Sequence, residues 1–315
     1  GVMTLAAFLL LAVGRRASML EENVMLSTLG LDRAAGLTLV LRKTVLFTLL
    51  FEAVGTAVLA WRFSAHGMAL PRAVYVGLFH AVSAFCNAGF SLFPDSLIGF
   101  RQDPWIVLTL AALLVSGGLG FLVWHELSAL KFWRIRTLRG GLSLHTRMVL
   151  MASAVLTAIG IGSFLFVEWN GTLAELSVPH RLLAAGFQGV TSRTAGFNLV
   201  PMDQVAPPTL FMTIGLMFIG GAPCSTAGGI KVTTVVVMVL TLTTMLRGRR
   251  DITFSNRTLP ESVMREAIAI STLGVFQVLA GFGLLLLTED LTRFVGRFGA
   301  VDALLFEAVS AFGTT

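Results

Sequence analysis

The residues of this sequence best suited to chemistry offer main-chain rather than side-chain atoms. Asn87-Ala88-Gly89 and Thr194-Ala195-Gly196 each follow a short apolar stretch and each lead into a phenylalanine, Phe90 and Phe197. A third copy begins at Phe306, where Phe306-Glu307-Ala308-Val309-Ser310-Ala311-Phe312 repeats the stretch from Phe79 to Phe85 with Glu307 in place of His80. Internal repetition on this scale outranks any local feature. If each apolar stretch is a short helix that stops abruptly, the carbonyls beyond its end have no helical partner. Carbonyl oxygens aimed into a cavity can replace the hydration shell of a monovalent cation. Gly89 and Gly196 permit the backbone angles that turn such carbonyls inward and put no side chain in the path. Helix C-termini facing the same cavity add partial negative charge. The repeated strands contain no Asp or Glu, which argues against a multivalent-ion site built from carboxylates. One copy alone reads as a loop at a membrane surface; the repetition favours a pore.

The elements that must position these strands follow from composition. Hydrophobic residues make up 55% of the chain and charged residues 13%, and the mean hydropathy is +0.84. These values belong to a polytopic membrane protein and exclude the soluble class. The net charge of +6 needs no nucleic-acid partner, because the basic residues cluster between apolar segments. Arg15, Arg16, Arg33, Arg42 and Lys43 form one cluster, Lys131, Arg134, Arg136, Arg139 and Arg147 a second, and Arg247, Arg249, Arg250, Arg257 and Arg265 a third. Alternate connections that carry this charge are read as cytoplasmic. Cys86 and Cys224 suggest neither a disulfide framework nor a zinc spacing and read as small packing residues.

In chain order, Val2 to Val13 is too short to span a bilayer core that needs ~20 residues, and reads as the end of a helix whose start is missing. Thr44 to Trp61 is a span, with Trp61 and Arg62 at its outer interface. Pro71 opens a half-helix over Arg72 to Phe85, and Asp103 and Pro104 open a second span to about Trp124. The pattern recurs with Met148 to Phe166, the half-helix Pro179 to Val190 and a span from Pro207. It recurs again with Val263 to Leu287 and the half-helix Val301 to Phe312. Four repeats about one axis are the natural total, with this chain holding the end of one, two in full and the start of another.

From Pro207 to about Leu246 the chain stays apolar, and roughly 40 residues of helix would run to ~60 Å, twice the membrane core. The run must therefore break. Gly220-Gly221-Ala222-Pro223-Cys224-Ser225-Thr226-Ala227-Gly228-Gly229-Ile230-Lys231 supplies the break: four glycines and a proline cannot hold a straight helix, and Ser225 and Thr226 can bond the freed backbone groups. Lys231 is costly at membrane depth and should reach a cavity, a carbonyl or the cytoplasmic boundary. Glu52 sits in mid-span, where a buried carboxylate is a functional candidate by default, and the preferred reading is that it holds a neighbouring helix by a hydrogen bond. His80 and Glu307 occupy equivalent half-helix positions and read as packing or capping residues.

These motifs, above all GGAPCSTAGGIK, resemble the pore motifs of the Trk/Ktr/HKT superfamily of potassium transporters, nearest to the bacterial Ktr-like (TrkH-type) ion-translocating membrane subunit, over essentially the whole chain. The resemblance implies an all-α integral membrane protein, a pseudo-fourfold array of membrane-pore-membrane repeats with short pore helices and filter strands. It implies filters at Cys86, Asn87, Ala88 and Gly89, at Arg193, Thr194, Ala195 and Gly196, and at Gly313, Thr314 and Thr315, where the next residue would be the expected glycine. Arg193 would brace its filter from behind, since its charge on the path would repel cations. The stretch Gly220 to Lys231 becomes an intramembrane loop that obstructs the pore and moves on activation.

The implied organisation is residues 1–43 as the end of repeat one with its linker, 44–146 as repeat two, 147–257 as repeat three with the broken gate helix, and 258–315 as a truncated repeat four. The implied activity is potassium uptake across the bacterial inner membrane, with the potassium ion as transported ligand, no organic cofactor and no catalytic residue. The implied partners are a second copy in a homodimer, a cytosolic nucleotide-binding regulatory ring, and membrane lipid. Sodium-selective or sodium-coupled transport on the same architecture is the alternative, because the missing first filter bears on that preference. An intramembrane enzyme would need a paired nucleophile and base or clustered ligands; His66, His80, His125, His145 and His180 are scattered and no HExxH occurs.

Overall fold

The computed structural model describes residues 37–129, 142–248, 253–254, 257–290 and 299–315. The apolar run Val2 to Val13 and the basic residues Arg15, Arg16, Arg33, Lys131, Arg134, Arg136, Arg139, Arg249 and Arg250 lie outside them. The elements are α1 (Leu37–Ala65), α2 (Leu70–Phe85), α3 (Pro104–Gly118), α4 (Phe121–Ala129), α5 (Leu144–Glu168), α6 (Val178–Thr191), α7 (Pro207–Phe218), α8 (Val232–Leu246), α9 (Glu261–Thr288) and α10 (Ala300–Gly313). A two-stranded antiparallel hairpin, β1 (Thr253–Phe254) with β2 (Arg257–Thr258), pairs Thr253 with Thr258 between α8 and α9.

Among the described residues, three helices are long and apolar enough to cross a membrane: α1 from Arg42, α5 and α9. In the most apolar window of each, only 17% of the residues are buried. Large apolar side chains such as Phe166, Leu246 and Leu287 are largely exposed. In water this surface would cost heavily; against lipid tails it is the solvated face. Each long span is followed by a short helix packed on it, α1 with α2, α5 with α6 and α9 with α10. Prolines at the first turns of α2 and α6 start them where an N–H is not needed.

The packing order is rotational. The helix after one short helix packs on the next short helix, α3 on α6 and α7 on α10. Lipid offers no hydrophobic drive for this, so helices must gain by close contact. A Cβ at Gly77 would meet the Ala60 backbone nitrogen at 2.9 Å, and one at Gly160 would meet the Gly189 Cα at 3.1 Å, so these pairs sit at near-minimal separation. The largest core groups α2, α3 and α6 around Phe63, Phe187 and Phe197, each fully buried.

The span expected from Pro104 to Trp124 is not straight. It bends by 97° between α3 and α4. Gly117, Gly118 and Gly120 allow this, and Gly120 takes φ +79°, which only glycine adopts without strain. The Gly117 and Gly118 carbonyls are thereby freed, and residues 222 and 226 use them.

Candidate functional site

The ends of α2, α6 and α10 share one backbone signature. Asn87 (φ +50°), Thr194 (φ +66°) and Thr314 (φ +59°) are left-handed at equivalent positions, and Gly89 (φ +71°) and Gly196 (φ +76°) are left-handed again two residues later. A left-handed non-glycine residue is strained, and three copies at one repeat position mark a built feature. The residue between, Ala88 or Ala195, keeps negative φ.

Hydroxyls in the last turn of each short helix hold the returning strand. Ser83 donates to the Phe90 carbonyl (2.8 Å), Thr191 to Phe197 (2.8 Å) and Ser310 to Thr315 (2.6 Å). The sequence reading missed these three residues, although a Ser or Thr near the end of every half-helix was the available signal. The Thr194 and Thr315 hydroxyls are buried without a partner.

The three strands meet at one point. A Cβ on Gly89 would strike the Ala195 carbonyl oxygen and come within 2.8 Å of the Gly196 Cα; one on Gly196 would lie 2.9 Å from the Thr315 carbonyl carbon. Residues separated widely along the chain are thus in main-chain contact, with three helix C-termini directed there.

The break between α7 and α8 lies directly against these strands. Ile219 and Ile230 form a parallel bridge, with Gly220 N–H donating to Ile230 O (2.9 Å) and Ile230 N–H to Phe218 O (3.1 Å), so the loop Gly220 to Lys231 is closed at its neck. The bend in α3 seats it: Ala222 N–H donates to Gly118 O (2.9 Å), Thr226 N–H to Gly117 O (3.3 Å) and Phe121 N–H to Cys224 O (3.4 Å). Thr226 Oγ1 donates to Phe85 O (3.0 Å) and lies 3.3 Å from Asn87 Oδ1, tying the loop to the first of the three strands. Gly228 abuts the Gly313 carbonyl and Thr314, where a Cβ would lie 2.5 Å from the Gly313 oxygen. Ser225 Oγ accepts from Ala227 N–H (3.3 Å). Lys231 finds a carbonyl, as expected, with Nζ donating to Ala227 O at 2.7 Å.

The model of one family, TrkH, described as a cation transport protein, matches residues 1–315. The chain belongs to the TrkH family. As a TrkH-family chain it is a multi-pass plasma-membrane protein, and its family is one of cation transporters and not of enzymes. The Ktr system potassium uptake protein B of Vibrio alginolyticus is 36% identical over 318 residues, covering 100% of this chain and 67% of the relative. The protein of the same name from Bacillus subtilis is 32% identical over 317 residues, covering 100% and 68%. The potassium/sodium uptake protein NtpJ of Enterococcus hirae is 29% identical over 315 residues, covering 100% and 67%. The crystal structure of the potassium transporter TrkH from Vibrio parahaemolyticus shares the fold, with a TM-score of 0.64 at 20% identity, covering 93% of this chain and 66% of that one. The chain thus spans about two thirds of the length of these relatives.

In this TrkH-family chain the charged groups at membrane depth have differing environments. Arg193 bonds the backbone of two other elements, with Nη2 donating to Gly220 O (3.1 Å) and Nη1 to Ser153 O (3.4 Å). Glu52 departs from expectation: its carboxylate forms no hydrogen bond or ion pair with another described side chain, and only its backbone carbonyl is used, by Thr56 Oγ1 at 2.7 Å. Its segment of α1 is partly exposed.

His80 and Glu307 have parted roles. His80 is fully buried, bonds Val76 O (2.8 Å) and Ser91 Oγ (3.1 Å), and stacks on Phe93, whereas Glu307 is exposed. Glu168, also missed by the sequence reading, is buried and accepts from Ala206 N–H (2.7 Å), Thr209 Oγ1 (2.7 Å), Thr172 N–H (3.1 Å) and Thr172 Oγ1 (3.0 Å), joining α5 to the start of α7. Cys86 and Cys224 form no disulfide with one another. No group of three or more His, Cys, Asp or Glu that could hold a metal occurs among the described residues.

Proposed function

We propose that this chain takes up potassium through a filter of backbone carbonyls and that the loop Gly220 to Lys231 gates it. The observation that carries the reading is the meeting of Gly89, Gly196 and Thr315, each at the end of a short helix, with alternating φ sign along the two complete strands. Alternation turns successive carbonyls to one side of a strand, the arrangement a dehydrated monovalent cation needs. Cys86, Asn87, Ala88 and Gly89, then Thr194, Ala195 and Gly196, then Gly313, Thr314 and Thr315 supply the oxygens. The loop is the gate because it touches two of the strands directly and reaches the third through Arg193. The names of the two Ktr relatives support potassium as the ion.

The repeat division 44–146, 147–257 and 258–315 accompanies this reading. So does assembly as a homodimer in lipid with a cytosolic nucleotide-binding ring, a partnership supported by relatives named as one component of a system. Sodium transport is the second reading, favoured by the relative named for potassium and sodium.

Cation uptake into liposomes holding the full-length protein tests the proposal, comparing potassium, rubidium, sodium and lithium, with Gly196→Ser alongside. Potassium and rubidium should enter preferentially, and Gly196→Ser should erode that preference, since a side chain there is strained at φ +76° and meets Thr315. Flux indifferent to ion and mutation would sink the filter; sodium preference in the parent would select the second reading.

A further inference from the structure

Arg193 sits one residue before the strand Thr194-Ala195-Gly196, yet its guanidinium bonds two other elements. Nη2 reaches Gly220 O at 3.1 Å, where the loop begins, and Nη1 reaches Ser153 O on α5 at 3.4 Å. Nε is buried with no partner. Among the described residues, no carboxylate is ion-paired with it. A cation held only by carbonyls at membrane depth gains less than it loses in leaving water, so packing gives no reason for it here.

Its bonding partner does give a reason. Gly220 is locked to Ile230 at the loop's neck, its backbone is pressed against the Gly228 carbonyl, and Gly228 in turn abuts Gly313. A continuous path therefore runs from the strand at Thr194 through Arg193 and the loop to the strand at Thr314. Beside the guanidinium lies a cavity of about 400 Å³ between α3 and α5, lined by Leu114, Val115, Ala154, Ala158 and Val190 as well as Arg193 itself. If the bond to Gly220 breaks, this cavity is the space open to the side chain.

We propose that Arg193 is a positioning residue that couples the third filter strand to the gate loop, so that ion preference and gate opening respond to one side chain. The inference rests on the filter and gate reading above. When the loop moves, Gly220 moves with it, and either the Arg193 bond breaks into the cavity or the strand at Thr194 is drawn along. The bond thus stabilises the closed loop and a selective strand together.

The test uses the full-length protein in liposomes without an activator, as wild type, Arg193→Gln and Arg193→Lys. Two readouts accompany potassium uptake: the potassium-to-sodium uptake ratio, and amide hydrogen exchange over residues 219–231. Loss of one charge-assisted bond should raise basal uptake about tenfold. Arg193→Gln should also lower the uptake ratio and speed exchange in the loop while exchange in α2 and α9 stays unchanged, and Arg193→Lys should restore part of each.

The coupling is overturned if Arg193→Gln moves ion ratio or basal uptake without the other, or if both fall only with the amount of folded protein. Should Arg193→Gln fail to assemble, Arg193→Lys decides: faster loop exchange with a lowered ratio supports the coupling, and wild-type values overturn it. Gly196→Ser separates the two readings. If it leaves ion preference untouched, the filter reading fails; if it shifts preference while the Arg193 variants match wild type, only the coupling fails.

Discussion

At the scale of single residues, backbone crowding decides which positions tolerate a side chain. Gly89 has left-handed φ and no room, so Gly89→Ala both strains the strand and pushes it off Ala195 and Gly196. Potassium uptake should fall severalfold and its preference over sodium should narrow, while circular dichroism shows the helices intact; unchanged flux would contradict the meeting of strands at that point. Glu168 is a different case, a buried carboxylate with four donated bonds and no cation among them. Glu168→Ala leaves buried donors unpaired and should cost about 2 kcal/mol or more in stability, and Glu168→Gln less, because one oxygen acceptor remains. Thermal unfolding in detergent measures both, and equal stability of all three proteins would count against a structural tie between α5 and α7.

At the scale of elements, the start of α3 is held electrostatically. Asp103 caps the helix, accepting from Trp105 N–H (3.0 Å) and Ile106 N–H (3.3 Å), and its other oxygen accepts from Arg62 Nη2 (2.8 Å), Arg62 Nε (3.0 Å) and His66 Nε2 (2.8 Å). Burial alone would raise the carboxyl's pKa, but the bonds from Arg62, His66 and Ile106 outweigh it and hold the group below its ordinary value. A carboxyl depressed on folding contributes stability above its unfolded pKa, about 3.9, and that contribution is lost as pH falls through the lower folded value. The melting temperature of the wild type should therefore drop on acidification below about pH 4, and more steeply than that of Asp103→Asn, which lacks the linkage. Parallel pH profiles would show that Asp103 contributes nothing.

At the scale of the whole molecule, α1, α5 and α9 each pack against the short helix that follows, and the basic clusters of the sequence predict that the connections carrying them face the cytoplasm. Cysteine labelling checks this: Asn170→Cys should react with a membrane-impermeant maleimide from outside, and Ser128→Cys only after permeabilisation, both positions being exposed. The reverse pattern would invert the orientation inferred from charge.

The membrane class, the repetition, the short helices and the break at Gly220 to Lys231 were all legible in the residue order. Each depends on local composition, periodicity or glycine and proline content, which act over a few turns of chain. Packing in three dimensions was needed to show that the three strands touch, that the glycines of α3 bend it to seat the loop, and that Arg193 bonds Gly220. The packing also leaves Glu52 without a hydrogen bond to any other described side chain and gives Glu168 four. These depend on which backbone carbonyls and cavities distant segments bring together, and a carbonyl oxygen carries no residue type that a sequence could display.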